Sequence, residues 1–165
     1  MLERLSKVAL VAAVSLFLTI VAYNNLIDYG SNLEFVRHVL SMDSTFAGNQ
    51  LKGRALTQPW IHHTFYAGII AWEWFGAISI GFGAWTLWRA RKASSSDFAR
   101  SKALAVAALT GNMLLWFAAF LTVGGEWFAM WQSQVWNGQS AAFRMFACIG
   151  IILLFLKTPD SELPS

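Results

Sequence analysis

The sequence predicts an all-α protein, a bundle of four transmembrane helices, and three observations carry that prediction. Hydrophobic residues make up 56% of the 165 positions and charged residues only 13%, against about 45–50% and about 25% in ordinary soluble domains. Four apolar windows, at 5–23, 64–87, 103–123 and 141–156, approach or exceed the roughly 20 residues needed to cross a hydrocarbon core of about 30 Å. Lys and Arg divide unevenly among the connections between those windows. At this length one integral membrane domain is expected, which leaves little chain for a separate soluble catalytic module.

The first window follows Arg4 and Lys7 as a secretory signal would, but no small-x-small cleavage pattern succeeds it. It reads as a retained helix. Arg4, Lys7, Arg89, Arg91, Lys92, Arg100, Lys102 and Lys157 fall on one side of the resulting topology, whereas Arg37, Lys52, Arg54 and Arg144 fall on the other. The positive-inside rule therefore puts both termini and the middle connection in the cytoplasm. The net charge of +3 reports orientation and not nucleic-acid binding. Ser94 to Ser96 before Asp97 suit an N-terminal cap for the third helix, and the tail over 158–165 reads as flexible.

The first external connection, 24–60, exceeds the roughly 12–15 residues of an ordinary structureless loop and is expected to hold a short amphipathic helix. Leu33, Val36, Val39 and Leu40 recur at helical spacing with Glu34, Arg37, His38 and Ser41 opposite them, and Ser31 or Asn32 could cap it. The second external connection, 124–140, carries Trp127, Phe128, Trp131 and Val135, a pattern suited to a short interfacial segment between helices three and four. Of the nine tryptophans, Trp60, Trp127, Trp131 and Trp136 mark the outer boundary and Trp85 and Trp88 the inner one, as aromatic belts require. Trp72, Trp74 and Trp116 lie within spans and are assigned to packing.

Glu73 is the informative polar residue. An ionisable group at mid-span costs about 2.5–3.5 kcal/mol on the insertion scale, so it must find company. Gly76, Ala77, Gly81 and Ala84 share its helical face while Phe75, Ile78, Phe82 and Trp85 form the opposite one, and small faces are those that meet other helices. Ala12, Ser15, Thr19 and Ala22 in the first span, and Ala105, Ala108, Asn112 and Ala119 in the third, offer similar stripes. At about 1.5 Å per residue, Glu73 lies about 3–4 Å outward of the midplane, Asn112 about 1–2 Å inward and Arg144 about 8 Å outward. The candidate intramembrane polar site is accordingly Glu73, Asn112 and Arg144, with a Glu73 to Arg144 contact expected and Asn112 as a further donor.

Other constellations are weaker. His62 and His63 are adjacent, so their side chains diverge by about 100° on a helix; with His38, Asp43, Glu126, Trp127 and Trp131 they form a candidate external interaction surface. Cys148 is the only cysteine, which removes disulfides, redox pairs and thiolate zinc clusters. No phosphate-cradling loop, nucleophile elbow or zinc-protease motif occurs. No cofactor, no metal and no catalytic residue is expected.

The strings Tyr23-Asn-Asn-Leu-Ile-Asp-Tyr-Gly-Ser-Asn-Leu-Glu-Phe-Val-Arg-His-Val-Leu-Ser-Met-Asp43, Gly125-Glu-Trp-Phe-Ala-Met-Trp-Gln-Ser133, Trp136-Asn-Gly-Gln139 and Ala142-Phe-Arg144 resemble a bacterial family of predicted small integral membrane proteins, domain of unknown function 2165. The resemblance covers nearly the whole chain and implies a bacterial inner membrane. It carries no activity or site residue with it. The residues themselves favour a non-enzymatic structural or accessory protein that binds lipid or a membrane partner through its external face. A small oligomeric transporter or proton-coupled carrier using Glu73, and a haem- or quinone-binding membrane anchor, stay open as alternatives.

Overall fold

The computed structural model describes residues 1–162, and every regular element in them is helical. In chain order these are α1 (Leu2–Ile27), α2 (Tyr29–Ser41), α3 (Pro59–Ala90), α4 (Ser95–Ser101), α5 (Ala103–Leu114) and α6 (Gln139–Lys157). A π-helical stretch, Leu115–Trp127, continues α5, and single 3₁₀ turns occupy Lys52–Arg54 and Met130–Gln132. Four units are long and apolar enough to span a bilayer: α1, α3, Ser95–Trp127 and α6.

Each span is longer than its apolar window because polar residues continue the helix beyond the hydrocarbon. Pro59 opens α3 from the first helical turn, where its missing N–H leaves no bond unmade. Ser94 accepts a hydrogen bond from the Asp97 amide at 3.2 Å, which caps α4 and starts the third span as its sequence suggests. The π-helical stretch shows its wider register in the Phe128 amide, which donates to Val123 O at 3.0 Å, and in the Thr122 hydroxyl, which donates to Phe117 O at 3.0 Å. Both bonds reach five residues back, as π-helical geometry requires.

α3 sits between α1 and α5, and α6 packs against α5 and its π-helical continuation. The core of the bundle is built from Val11, Val14 and Leu18 of α1, Ala77, Ile80, Ala84 and Leu87 of α3, Ala105 and Leu109 of α5, and Ile149 and Leu156 of α6. Phe75, Ile78, Phe82 and Trp85 are exposed and form the lipid-facing side of α3 that its sequence pattern marks. One stripe assignment is corrected: Ala12 is exposed, because α1 turns Val8, Val11, Val14 and Leu18 inward. Gly81 meets Ser15 of α1, where a Cβ would stand 2.9 Å from Oγ, and Gly83 makes the close approach to α5. Trp72 is also exposed and donates its indole N–H to Gly111 O at 3.2 Å, so it is not packed in the interior.

The end of the bundle that carries α2 is covered by a second cluster of apolar residues. Val36, Val39 and Leu40 of α2 pack with Tyr66 and Ile70 of α3 and with Phe128, Ala129 and Met130. α2 begins four residues before the expected Leu33 start, directly after α1. Asp28 stands at its N-cap; Ser31 donates to Asp28 Oδ1 at 2.9 Å and Asn32 turns to Asn25, so neither caps the helix as expected. The expected interfacial segment between the third and fourth spans holds a single 3₁₀ turn, Met130–Gln132. It is tied to the first connection: Ser44 donates to Ser133 Oγ at 2.8 Å and the Phe46 amide to Gln132 Oε1 at 3.1 Å.

Ala129 is buried and held at φ 51°, in the left-handed region that disfavours residues with a Cβ by about 1–2 kcal/mol. Ala129→Gly is therefore expected to raise stability by about 1 kcal/mol, visible as a higher melting temperature of the purified protein.

Candidate functional site

Glu73 lies on the inward face of α3 and is 2% exposed, consistent with a face of small residues seeking helix contact. The Asn25 side-chain amide, near the end of α1, donates to Glu73 Oε2 at 2.7 Å. Asn32 of α2 in turn donates to Asn25 Oδ1 at 2.9 Å, and the Tyr66 hydroxyl donates to Asn25 O at 3.1 Å. Three helices thus converge on one carboxyl group through a chain of neutral donors. The one hydrogen bond to the carboxyl offsets part of the cost of burying it and brings no positive charge.

The expected Glu73 to Arg144 contact does not form. Arg144 is exposed on α6 and makes no ion pair or side-chain hydrogen bond among the described residues. Helical phase is the reason: the buried face of α6 runs through Ala142, Ile149 and Leu156, and Arg144 lies off it. Asn112 is buried and on the expected face, but its amide donates to Ala108 O at 3.1 Å, one turn back on its own helix. Its side chain fills the space over Gly76, where a Cβ would stand 2.2 Å from Nδ2. Asn112 is therefore a packing partner of α3 rather than a donor to Glu73.

The partners that were missed carry a signal. Asn25 lies near the end of α1 and Asn32 near the start of α2, on either side of the break at Asp28, and Asn25 falls outside the apolar window at 5–23. Tyr66 lies seven residues before Glu73 on α3, two turns away on one helical face.

Beside this network is a cavity of about 240 Å³. Glu73, Asn25 and Asn32 supply its polar wall; Phe35, Tyr66, Trp116 and Phe120 supply aromatic walls. A second cavity of about 180 Å³, lined by apolar residues together with Gly124, lies under α2. Phe35, Val36, Ile69 and Phe120 line both. Since glutamine retains an acceptor for the Asn25 amide, Glu73→Gln is expected to fold and to change stability by no more than about 1 kcal/mol in thermal melts.

The candidate external surface is dispersed into separate pairs. His38 Nδ1 lies 2.8 Å from Asp43 Oδ2, and its ring stacks on Trp136 at 4.4 Å. His62 is buried with Nε2 2.7 Å from Leu56 O, whereas the neighbouring His63 points elsewhere, with Nδ1 2.9 Å from the Tyr29 hydroxyl. The Arg54 guanidinium covers the Trp127 ring at 4.3 Å, Trp131 meets Phe46 edge-on, and Glu126 is exposed. Among the described residues no group of three or more His, Cys, Asp or Glu side chains is placed to hold a metal ion.

A polar cluster that sequence reading does not reveal gathers where the N-terminus, the middle connection and the tail meet. Arg4 and Lys7, which sequence reading uses to set orientation, are 2% and 1% exposed. Arg4 donates to Ala93 O at 2.6 Å and to Ser161 O at 2.9 Å. Lys7 reaches Asp160 Oδ1 at 2.7 Å and Thr158 O at 3.0 Å, and Lys102 pairs with the other oxygen of Asp160. The expected flexible tail is corrected over 158–162: these residues are docked between the N-terminus and the middle connection. Residues 163–165 lie outside the described residues.

Four apolar spans around a buried polar network, with both chain ends at one end of the bundle, define an integral membrane protein of the small polytopic class. Residues 3–159 match the family model described as predicted small integral membrane protein (DUF2165), and the chain belongs to that family. No curated protein and no solved structure matches it.

Proposed function

We propose that this protein is a non-enzymatic, multi-pass protein of the inner membrane, with both termini cytoplasmic, that holds the acyl chain of a membrane lipid beneath its outer cap. The observation that carries the reading is the 180 Å³ chamber between α2, α3 and the π-helical stretch, whose walls include Phe35, Val39, Phe65, Ile69, Val123 and Phe128. An apolar cavity stays dry and admits apolar ligands; one of about 150 Å³ suffices for benzene. Phe65 is 44% exposed on a spanning helix, so the chamber wall borders the acyl chains that surround the protein. Lipid is thus the occupant at hand.

Mass spectrometry of the protein released from mild detergent tests this. Co-purifying lipid is expected with the unaltered chain and its loss is expected with Ala119→Phe, which fills the chamber from the π-helical side. A protein that carries no more lipid than its filled variant would remove the reading. Orientation rests on the excess of Lys and Arg at the end where the N-terminus, the middle connection and the tail meet. A cysteine at Gln50, in the first external connection, is expected to react with a membrane-impermeant maleimide in intact cells, and one at Ser95 is not.

A further inference from the structure

The Glu73 chamber holds a carboxyl group with no cationic partner among the described residues. Glu73 carries one amide hydrogen bond, from Asn25, and forms no ion pair among the described residues; no Lys or Arg lines the cavity. A carboxylate withdrawn from water needs a cation or a set of strong donors to remain ionised, and here the protein supplies a single neutral amide. Four aromatic rings, Phe35, Tyr66, Trp116 and Phe120, line the cavity together with small and aliphatic residues such as Val21, Val36, Ile69 and Ala142. Trp116 and Phe120 are packed with centroids 4.9 Å apart, and Tyr66 is fixed by its bond to Asn25 O. Aromatic faces attract cations, most strongly where water is excluded.

A carboxyl group without a countercharge and four aromatic rings around the same cavity call for the same chemical group. We propose that the Glu73 chamber binds the head of an amphiphilic organic ammonium, a protonated amine whose apolar body runs along Phe35, Val36, Ile69 and Phe120 into the chamber under α2. The proposal rests on the reading of that apolar chamber as a lipid-like site and specifies the head group that accompanies the chain. The ammonium pairs with the Glu73 carboxylate, and the rings around it stabilise the positive charge. A neutral alcohol fits the apolar chamber equally well but leaves the carboxylate without a countercharge. An anionic head meets Glu73 with like charge and is disfavoured.

The test uses the full chain in a neutral detergent near neutral pH, where alkylamines carry their proton, with octylamine, octanol and octanoate titrated by thermal shift. Octylamine is expected to bind at least about tenfold more tightly than octanol, with octanoate the weakest. In Glu73→Gln the amine and the alcohol are expected to bind alike. Equal or tighter binding of octanol by the unaltered chain overturns the proposal, and that comparison stands even where the variant fails to fold. A preference for the amine that survives Glu73→Gln overturns it as well. If octanol binds in a manner abolished by Ala119→Phe while the amine gains nothing, the head-group assignment falls and the apolar site stands. If neither compound binds, both fall.

Discussion

Asp160→Ala is expected to destabilise the protein by about 3–5 kcal/mol, the range seen when one partner of a buried ion pair is removed. The Asp160 side chain is 1% exposed and stands between Lys7, whose side chain is 0% exposed, and Lys102, at 10%. Its removal leaves the Lys102 ammonium without a counter-ion and leaves Lys7 with only the half-exposed Glu3 carboxylate at 2.8 Å, and both lysines sit where the tail closes the bundle beside the N-terminus. Thermal or detergent-induced unfolding followed by tryptophan fluorescence gives the readout. Replacing all three by apolar residues of similar size, Lys7→Met, Lys102→Met and Asp160→Leu, is expected to recover most of the loss, because the only charge then left unpaired in the cluster is Glu3, whose side chain is 45% exposed to solvent.

The same cluster gives the protein an acid limit. Burial by itself pushes the Asp160 carboxyl upward, but hydrogen bonds and charge from Lys102 and Lys7 outweigh it and hold the group below its ordinary range. A carboxyl whose pKa is lower in the folded state contributes stability that is complete above the unfolded value of about 3.9 and is lost as pH falls through the lower folded value. The melting temperature is therefore expected to be insensitive to this group at neutral pH and to fall below about pH 4. Asp160→Ala is expected to lack that component of the acid dependence.

Gly83→Ala is expected to lose about 1–3 kcal/mol through overpacking. A Cβ at Gly83 would stand 2.8 Å from Ala105 Cα and 3.0 Å from its backbone nitrogen. Backbone cannot move aside as a side-chain tip can, so α3 and α5 must separate. Gly68 lies on the same helix with open space around it, and Gly68→Ala is expected to be neutral or to stabilise by up to about 1 kcal/mol through helix propensity. The contrast within one helix separates loss of close approach from any general effect of removing glycine; equal melting temperatures for the two variants would count against it.

Much of the architecture was legible in the chain. A run of apolar residues such as 64–87 has no low-energy arrangement in a bilayer except a helix, so number and order of spans follow from hydropathy. Within α3 the alternation of Glu73, Gly76, Ala77 and Ala84 with Phe75, Ile78, Phe82 and Trp85 fixes which side faces lipid. The periodicity of Val36, Val39 and Leu40 likewise reveals α2 and its buried face. What escaped were the ends: polar residues such as Asn25 extend a helix without extending its apolar window, and the tail around Asp160 carries no periodic signal.

The sequence by itself determined that the protein is a four-span membrane bundle with a carboxyl group turned inward, because hydrophobic length and helical phase are local properties of each segment. Only the tertiary structure decided that Asn25, rather than Arg144, meets Glu73, and that Arg4 and Lys7 are buried against the tail. Those pairings depend on the relative rotation and depth of separate helices, which contacts such as Gly83 against Ala105 and Asn112 over Gly76 set, and which no single segment encodes.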